Sequence, residues 1–151
     1  MIATKKQQEV FDILFGVAIA VEPVSRAKVA ACIVRKGKIV SFGVNKMKSH
    51  PFQLKYSNHP EAIYLHAETA AIKRALSFIR PPALSDCSLF VLRVKRPELQ
   101  NRGPDILSEW QCAMAKPCQA CEKAIVEFQI KEVLFTTGRT THQVYGRIIL
   151  S

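Results

Sequence analysis

The sequence predicts an α/β fold with helices layered on a mixed sheet, in a single domain that covers residues 1–151. Two observations carry this prediction. Short runs rich in β-branched residues alternate with helical patterns along the chain, which is the order typical of layered α/β proteins. Hydrophobic residues make up 48% of the composition, and a chain of 151 residues can bury a core of its own.

The N-terminal segment has the pattern of an amphipathic helix. Its apolar residues recur at helical spacing and would form one stripe, which contains Val10, Phe11, Leu14, Phe15, Ala18 and Ile19. Thr4 can cap this helix, and Pro23 lies just past its end. Lysines followed by apolar residues also resemble a signal peptide, but Asp12 interrupts the apolar run. We therefore expect a packed helix and no membrane contact, since no apolar segment is long enough to cross a bilayer.

The next part of the chain predicts a β-hairpin and then a loop. Two β-rich runs, residues 29–34 and 39–44, flank a turn around Gly37. The segment of residues 46–64 is polar and contains two prolines, so we expect it to be a loop.

Two helical crossovers organise the rest of the chain. A helix over about residues 67–78 leads to a strand at 87–94, and a second helix at 118–129 leads to a strand at 131–137. Helical crossovers join parallel strands, so these two strands should run parallel. Too few residues then remain before a final strand near Val144 for another crossover, so that strand should return antiparallel.

A long connection, residues 95–116, separates the strand at 87–94 from the second helix. Connections of this length inside a compact domain are usually functional. Its Trp110 either packs over the core or stacks on a base, as aromatic side chains do in proteins that bind single strands.

The charge balance is strongly basic. Lysine and arginine number 22 against 12 aspartates and glutamates, for a net charge of +10. Such a balance favours anionic partners such as nucleotides, nucleic acids or phosphates, although a solvated basic surface explains it equally well. Lys46, Lys48 and His50 form a basic cluster that is either a solvated loop or a phosphate contact.

The chain contains five cysteines, which are Cys32, Cys87, Cys112, Cys118 and Cys121. Their number is odd and their spacing irregular, so we expect no disulfide framework and a reducing, cytoplasmic location. Cys32 and Cys87 fall in strand patterns, where buried and inert thiols are expected.

Two motifs far apart in the chain carry the chemistry. In the first, LHAETAAIKRAL, His66 and Glu68 stand at the start of a helix. In the second, AKPCQACEKAI, Pro117 can occupy the first helical position, and Cys118 and Cys121 share one face of the first turn. The positive end of the helix favours thiolates there, and two thiolates are half of a zinc site.

His66 is the histidine that stands at a predicted helix start, and the others are His50, His59 and His142. Three protein ligands would leave the fourth position of tetrahedral zinc to water, the catalytic arrangement, with Glu68 beside it to carry a proton. Two plainer interpretations stay open. In the first, His66 and Glu68 belong to an ordinary helix N-terminus, where acidic residues are common. In the second, the cysteines form a purely structural zinc site with Cys112 as a fourth ligand.

The combination H-x-E and P-C-x-x-C, in this order, is the signature of zinc deaminases that act on nucleobases. Over about residues 29–137, and most specifically at HAE and PCQAC, the chain resembles the cytidine/deoxycytidylate deaminase superfamily. The resemblance implies a cytidine-deaminase-like fold with three α-β-α layers and a mixed sheet of about five strands. It also implies one Zn²⁺ per chain, held by His66, Cys118 and Cys121, with Glu68 as the proton shuttle.

The same resemblance implies a substrate pocket. Asn45 matches a family asparagine that hydrogen-bonds the sugar, and the backbone of Ala67 and the Pro117 region would line the base pocket. The basic cluster directly follows Asn45 and would meet a phosphate if the substrate is a monophosphate.

Departures from the family pattern bear on the substrate. The deoxycytidylate branch usually has asparagine where this chain has Ala70, and its glycine-rich segment is replaced here by residues 45–60. The tRNA-adenosine branch is also similar at HAETAAI, and an antiparallel final strand resembles the nucleoside-type arrangement.

The resemblance implies a zinc-dependent hydrolase that converts cytosine to uracil in a free (deoxy)cytidine nucleotide or nucleoside. Hydroxide would attack C4 of the ring, and Glu68 would protonate N3 and then help ammonia leave. Two alternatives stay open: a deaminase acting on nucleic acid, either single-stranded DNA cytosine or tRNA adenosine, and a zinc-stabilised binding protein without catalysis. Family members commonly self-associate, so we expect a homo-oligomer.

Overall fold

The computed structural model describes residues 3–20, 27–45, 51–56, 66–95, 110–137 and 144–149, the last segment by its backbone. The elements are α1 (Lys5–Ala20), β1 (Ala27–Arg35), β2 (Lys38–Val44), α2 (Pro51–Tyr56), α3 (Ala67–Ala75), a 3₁₀ helix (Pro81–Asp86), β3 (Cys87–Lys95), β4 (Gln111–Ala113), α4 (Gln119–Glu127), β5 (Glu132–Thr136) and β6 (Val144–Ile149). Among these residues, no helix is both long and apolar enough to cross a membrane.

The strands form one mixed sheet in the order β2-β1-β3-β5-β6, and the short strand β4 pairs with β3 in addition. β3 and β5 run parallel, whereas β6 runs antiparallel to β5, so both predicted strand directions are confirmed. The helix α4 supplies the crossover between the two parallel strands. The expected mixed sheet of about five strands is therefore present, with β4 as an extra pairing.

Helices cover both faces of the sheet, which confirms the three-layer arrangement. Because side chains alternate along a strand, Ala30 and Cys32 of β1 pack into a core with α1, whereas Ala31 and Ile33 pack into a core with α3 and α4. Phe11 of α1 meets Phe90 of β3 edge to face, with ring centroids 5.2 Å apart. The candidate site lies on the α3 and α4 side.

The N-terminal helix begins as predicted. The backbone N–H of Gln7 donates to Thr4 Oγ1 at 3.2 Å, and the N–H of Thr4 donates to Gln7 Oε1 at 2.9 Å, which is a capping box. Most of the predicted stripe is buried, although Ile19 at its end is 39% exposed.

Close contact between β2 and α3 brings the start of α3 down onto the sheet. A Cβ built on Gly43 would collide with the backbone of Ala67 and Ala71. Ser41 also donates its hydroxyl to the Ala71 carbonyl at 2.7 Å. Glycine at this position of β2 therefore allows α3 to lie directly on the strand.

Three local predictions were wrong. The segment expected to be a loop contains the helix α2, where Pro51 opens the helix rather than breaking it. The long connection contains β4, which pairs with the end of β3 beyond the part that pairs with β5. Pro117 does not take the first helical position, since α4 begins at Gln119 with Cys118 as its N-cap.

Candidate active site

Two helix starts meet at the site. His66 is the N-cap of α3 and Cys118 is the N-cap of α4, and both have extended backbone conformations. Neither side chain caps its own helix. An N-cap side chain normally turns back onto the N–H groups of the first turn, so these two are free to point at another group. Helix N-termini also carry partial positive charge, which favours thiolates and other anions between them.

The predicted metal ligands come together. Nδ1 of His66 lies 3.3 Å from Sγ of Cys121 and 3.5 Å from Sγ of Cys118. The donor atoms of the three residues all lie within 4.8 Å of one another. One imidazole nitrogen and two thiol sulfurs at this spacing fit tetrahedral zinc with a fourth position open. The chemistry of the donor set thus matches the metal that the sequence predicts.

The thiols and the imidazole are close enough to hydrogen-bond, and each changes the pKa of the others. A hydrogen bond from Cys121 lowers the pKa of Cys118 to about 4, and the hydrogen bond with His66 acts in the same direction. The hydrogen bond to Cys118, together with burial, raises the pKa of Cys121. The hydrogen bond to Cys118 also raises the pKa of His66. A divalent cation bound among these three groups would displace their protons, because metal ligands bind in the deprotonated form.

Glu68 lies in the first turn of α3 and is 6% exposed. Burial raises the pKa of its carboxyl, and this outweighs the hydrogen bond to its own backbone N–H and the neighbouring His66, which lower it. Glu68 is therefore a buried carboxyl beside the metal cluster without being one of its three members.

A pocket of about 300 Å³ opens beside the cluster. It is lined by Val29, Asn45, His66, Ala67, Glu68, Val91, Arg93, Met114, Ala115, Lys116 and Cys118. The predicted pocket residues Asn45 and Ala67 are in its wall, whereas Pro117 is buried and its two neighbours take that place. The predicted phosphate contacts Lys46, Lys48 and His50 lie outside the described residues.

Asn45 is held by the first strand. Its Oδ1 accepts a hydrogen bond from the Val29 N–H at 2.9 Å, and its backbone N–H donates to the Val29 carbonyl at 3.3 Å. Because the amide oxygen is engaged, Asn45 offers its Nδ2 as a donor to a ligand in the pocket.

Two cations in the pocket wall were missed in the sequence. Arg93 and Lys116 are both exposed, and among the described residues neither forms an ion pair with a carboxylate. The strand pattern could have identified Arg93. Every second residue of β3 faces the site, so residues 89, 91 and 93 share that face of the sheet. Lys116 stands directly before the PCQAC motif, where the connection was expected to be a loop.

Thr136 holds the chain that leads into the cysteine motif. Its buried hydroxyl donates to the Ala113 carbonyl at 2.8 Å and accepts from the Arg93 N–H at 3.3 Å. Its carbonyl accepts from the Ala115 N–H at 2.8 Å. The segment 113–115, which supplies Met114 and Ala115 to the pocket wall, is thereby tied to the ends of β3 and β5.

Trp110 and Cys112 belong to the opposite face of the sheet. Trp110 packs against the core that contains α1, and Lys28 Nζ lies 4.8 Å from its ring centroid. Trp110 therefore packs over the core, and it is not part of the pocket wall. Cys112 is 3% exposed in the same core and, within the described part of the chain, is not a member of the metal cluster. A fourth thiolate from Cys112 is thus not supported.

Comparison with known proteins gives the family. The family model of the cytidine and deoxycytidylate deaminase zinc-binding region matches residues 4–137. The chain belongs to this family. No curated protein matches the chain in a sequence comparison. Zinc is the metal of the matched region, and the cluster of His66, Cys118 and Cys121 lies within it.

Solved structures of deaminases have the same fold. The dCMP deaminase of cyanophage S-TIM5 in apo form has a TM-score of 0.55 and 20% identity, covering 89% of this chain and 86% of its own. The same phage protein in complex with dCMP and dUMP has a TM-score of 0.55 and 17% identity, covering 89% of this chain and 83% of its own. A cytidine deaminase from Burkholderia pseudomallei has a TM-score of 0.52 and 22% identity, with coverages of 89% and 91%. This deaminase-family chain thus shares its fold with enzymes named for a nucleotide and for a nucleoside.

Proposed function

We propose that this protein is a hydrolase that converts cytosine to uracil in a free (deoxy)cytidine nucleotide or nucleoside. The observation that carries the proposal is the junction of two helix starts, where His66, Cys118 and Cys121 converge beside buried Glu68 at the wall of a pocket. A free nucleotide or nucleoside as substrate is consistent with the cytoplasmic location that the cysteine content predicts. Self-association stays a prediction from the family resemblance.

His66, Cys118 and Cys121 would hold the zinc, with Glu68 outside the ligand set. Zinc, when bound, makes hydroxide available near neutral pH. The reaction exchanges the C4 amino group of cytosine for an oxygen from water and releases ammonia. Glu68 accepts the proton from water, delivers it to N3 of the ring, and then carries a proton to the leaving amine. Its burial keeps the carboxyl away from bulk water during these transfers.

The pocket wall supports a nucleoside moiety as the ligand. The Asn45 amide can donate through Nδ2 to a sugar hydroxyl, since its oxygen is engaged by Val29. Arg93 and Lys116 supply two positive charges at the same pocket, which suits a phosphate attached to that sugar. The phage relative is described in complex with dCMP and dUMP, and that supports a nucleotide here.

One observation favours the nucleoside instead. The antiparallel pairing of β6 with β5 resembles the nucleoside-type arrangement of the family. The predicted contacts of Lys46, Lys48 and His50 with a phosphate stay a prediction, because these residues lie outside the described part of the chain.

A substrate panel followed by ammonia release tests the proposal. The panel contains cytidine, deoxycytidine, their 5′-monophosphates, adenosine-containing tRNA and a cytosine-containing single-stranded oligonucleotide. We expect turnover of at least one free monomer. Turnover of a polymer alone would replace this function by the nucleic-acid alternative, and zinc binding with no turnover of any member would favour the binding-protein alternative.

A further inference from the structure

The helix α2 lies in a segment expected to be a loop. One of its polar side chains is fully buried and contacts the start of α3, next to the metal site. Gln53 is 0% exposed. Its Oε1 accepts a hydrogen bond from the backbone N–H of His66 at 3.2 Å, and the hydroxyl of Thr69 also contacts Oε1. Thr69 is itself fully buried, and its hydroxyl lies 3.1 Å from the His66 carbonyl.

These contacts complete the N-terminus of α3 with a residue from another helix. In a capping box the side chain of the third helical residue reaches back to the N–H of the N-cap residue. In α3 the N-cap is His66 and the third residue is Thr69, whose hydroxyl lies near the His66 carbonyl and Gln53 rather than accepting from the His66 N–H. Gln53 supplies the missing acceptor for the His66 N–H, and Thr69 contacts Gln53 instead.

The polar contact acts on the backbone of the metal ligand. The imidazole of His66 makes no cap bond of its own, so the direction of its Cα–Cβ bond depends on how the backbone at this N-cap is held. Glu68 lies two residues further along the same first turn. A shift of this turn would move both His66 Nδ1 and the Glu68 carboxyl relative to the sulfurs. Metal–ligand distances are expected within about 0.2 Å of their usual values, so such a shift would weaken the site.

We propose that Gln53 is a positioning residue of the metal site, which holds the start of α3 so that His66 reaches the two cysteines. Only the expected effect of Gln53 on turnover rests on the proposed function. The expected effect on zinc binding does not. Groups that orient metal ligands from outside the ligand set typically contribute about 10- to 100-fold to metal affinity or activity.

The test measures zinc release rather than turnover alone. We compare the wild type with Gln53→Leu, which removes the acceptor at similar size, and with Gln53→Asn, which withdraws it by one methylene. Zinc release into a chromophoric chelator should be about 10- to 100-fold faster in Gln53→Leu and intermediate in Gln53→Asn. The visible spectrum of the Co²⁺-substituted variants should shift, because the ligand geometry changes. In a turnover assay kcat should fall more than KM rises.

Phe52→Leu is the matched control on the same helix. Phe52 packs on Phe128 and Tyr56, with ring centroids 6.1 Å and 5.6 Å away, so this change removes packing but no polar contact with α3. It should lower stability and leave zinc release and the Co²⁺ spectrum as in the wild type. A folded Gln53→Leu protein with wild-type zinc release would overturn the proposal. If Gln53→Leu does not fold, wild-type release from Gln53→Asn would do the same. A wild type that deaminates nothing would refute the proposed function while leaving the zinc comparison valid.

Discussion

Nδ1 of His66 lies 3.3 Å from Sγ of Cys121, although 55 positions separate the two residues in the chain. The two atoms meet because β3 and β5 are parallel neighbours, so the α-helices α3 and α4, which come before these strands in the chain, begin at the same end of the sheet. The metal site is thus a product of the crossover topology rather than of either motif alone.

The zinc content of the purified protein should be about one ion per chain. X-ray absorption should show two sulfur and one imidazole ligand with an oxygen in the fourth position, because the cluster contains two thiols and one histidine. Cys121→Ser should lose zinc, whereas Cys112→Ser, which changes a buried cysteine on the other face of the sheet, should retain it. Zinc bound by four sulfurs would contradict this site.

Replacement of the buried carboxyl should separate catalysis from metal binding. Glu68→Gln keeps the size of the side chain but cannot carry a proton, so turnover should fall by roughly 10² to 10⁴ with zinc content unchanged. Atomic absorption and an ammonia assay on the same preparation provide the two measurements. Normal turnover, or loss of the metal, would show that the assigned role is wrong.

Arg93 should discriminate between a nucleotide and a nucleoside. If its guanidinium meets a phosphate, Arg93→Gln should lower kcat/KM for the monophosphate by about 10- to 100-fold and leave the nucleoside nearly unchanged. Arg35→Gln is the control, since Arg35 pairs with Asp86 through a contact of 3.4 Å and is not part of the pocket wall. Steady-state kinetics on both substrates measure the effect. Equal losses for the two substrates would remove the phosphate contact, and the same experiment on Lys48→Ala tests the earlier prediction for the basic cluster.

A pair of glycine substitutions should reveal the close approach of α3 to the sheet. Gly43→Ala places a methyl group against the backbone of Ala67 and Ala71, so it should destabilise the protein by about 1–3 kcal/mol or more. Gly16→Ala in α1 meets nothing within 4 Å, and it should stabilise the protein by roughly 0.5–1 kcal/mol because alanine is the better helix former. Chemical denaturation of both variants measures the difference. A neutral Gly43→Ala would mean that α3 can shift on β2 without cost.

The sequence by itself determined the elements with a strong period and the two motifs of the site. The stripe of α1, the strands β1, β2, β3 and β5, and the directions of the last strands follow from local patterns and from the lengths of the connections between them. His66, Glu68, Cys118 and Cys121 could be selected because few residue types bind zinc or carry protons, and their spacing at helix starts limits the choice.

Only the tertiary structure decided the parts whose partners are distant in the chain. The short helix α2 has too few residues to show a helical period of apolar residues. It packs against the start of α3, where Gln53 is buried. β4 exists through its pairing with β3, and Arg93 belongs to the pocket because β3 turns that face toward the site. A hydrogen bond or a pocket wall between residues far apart in the chain leaves no local pattern, because its free energy depends on packing that forms only when the whole sheet is assembled.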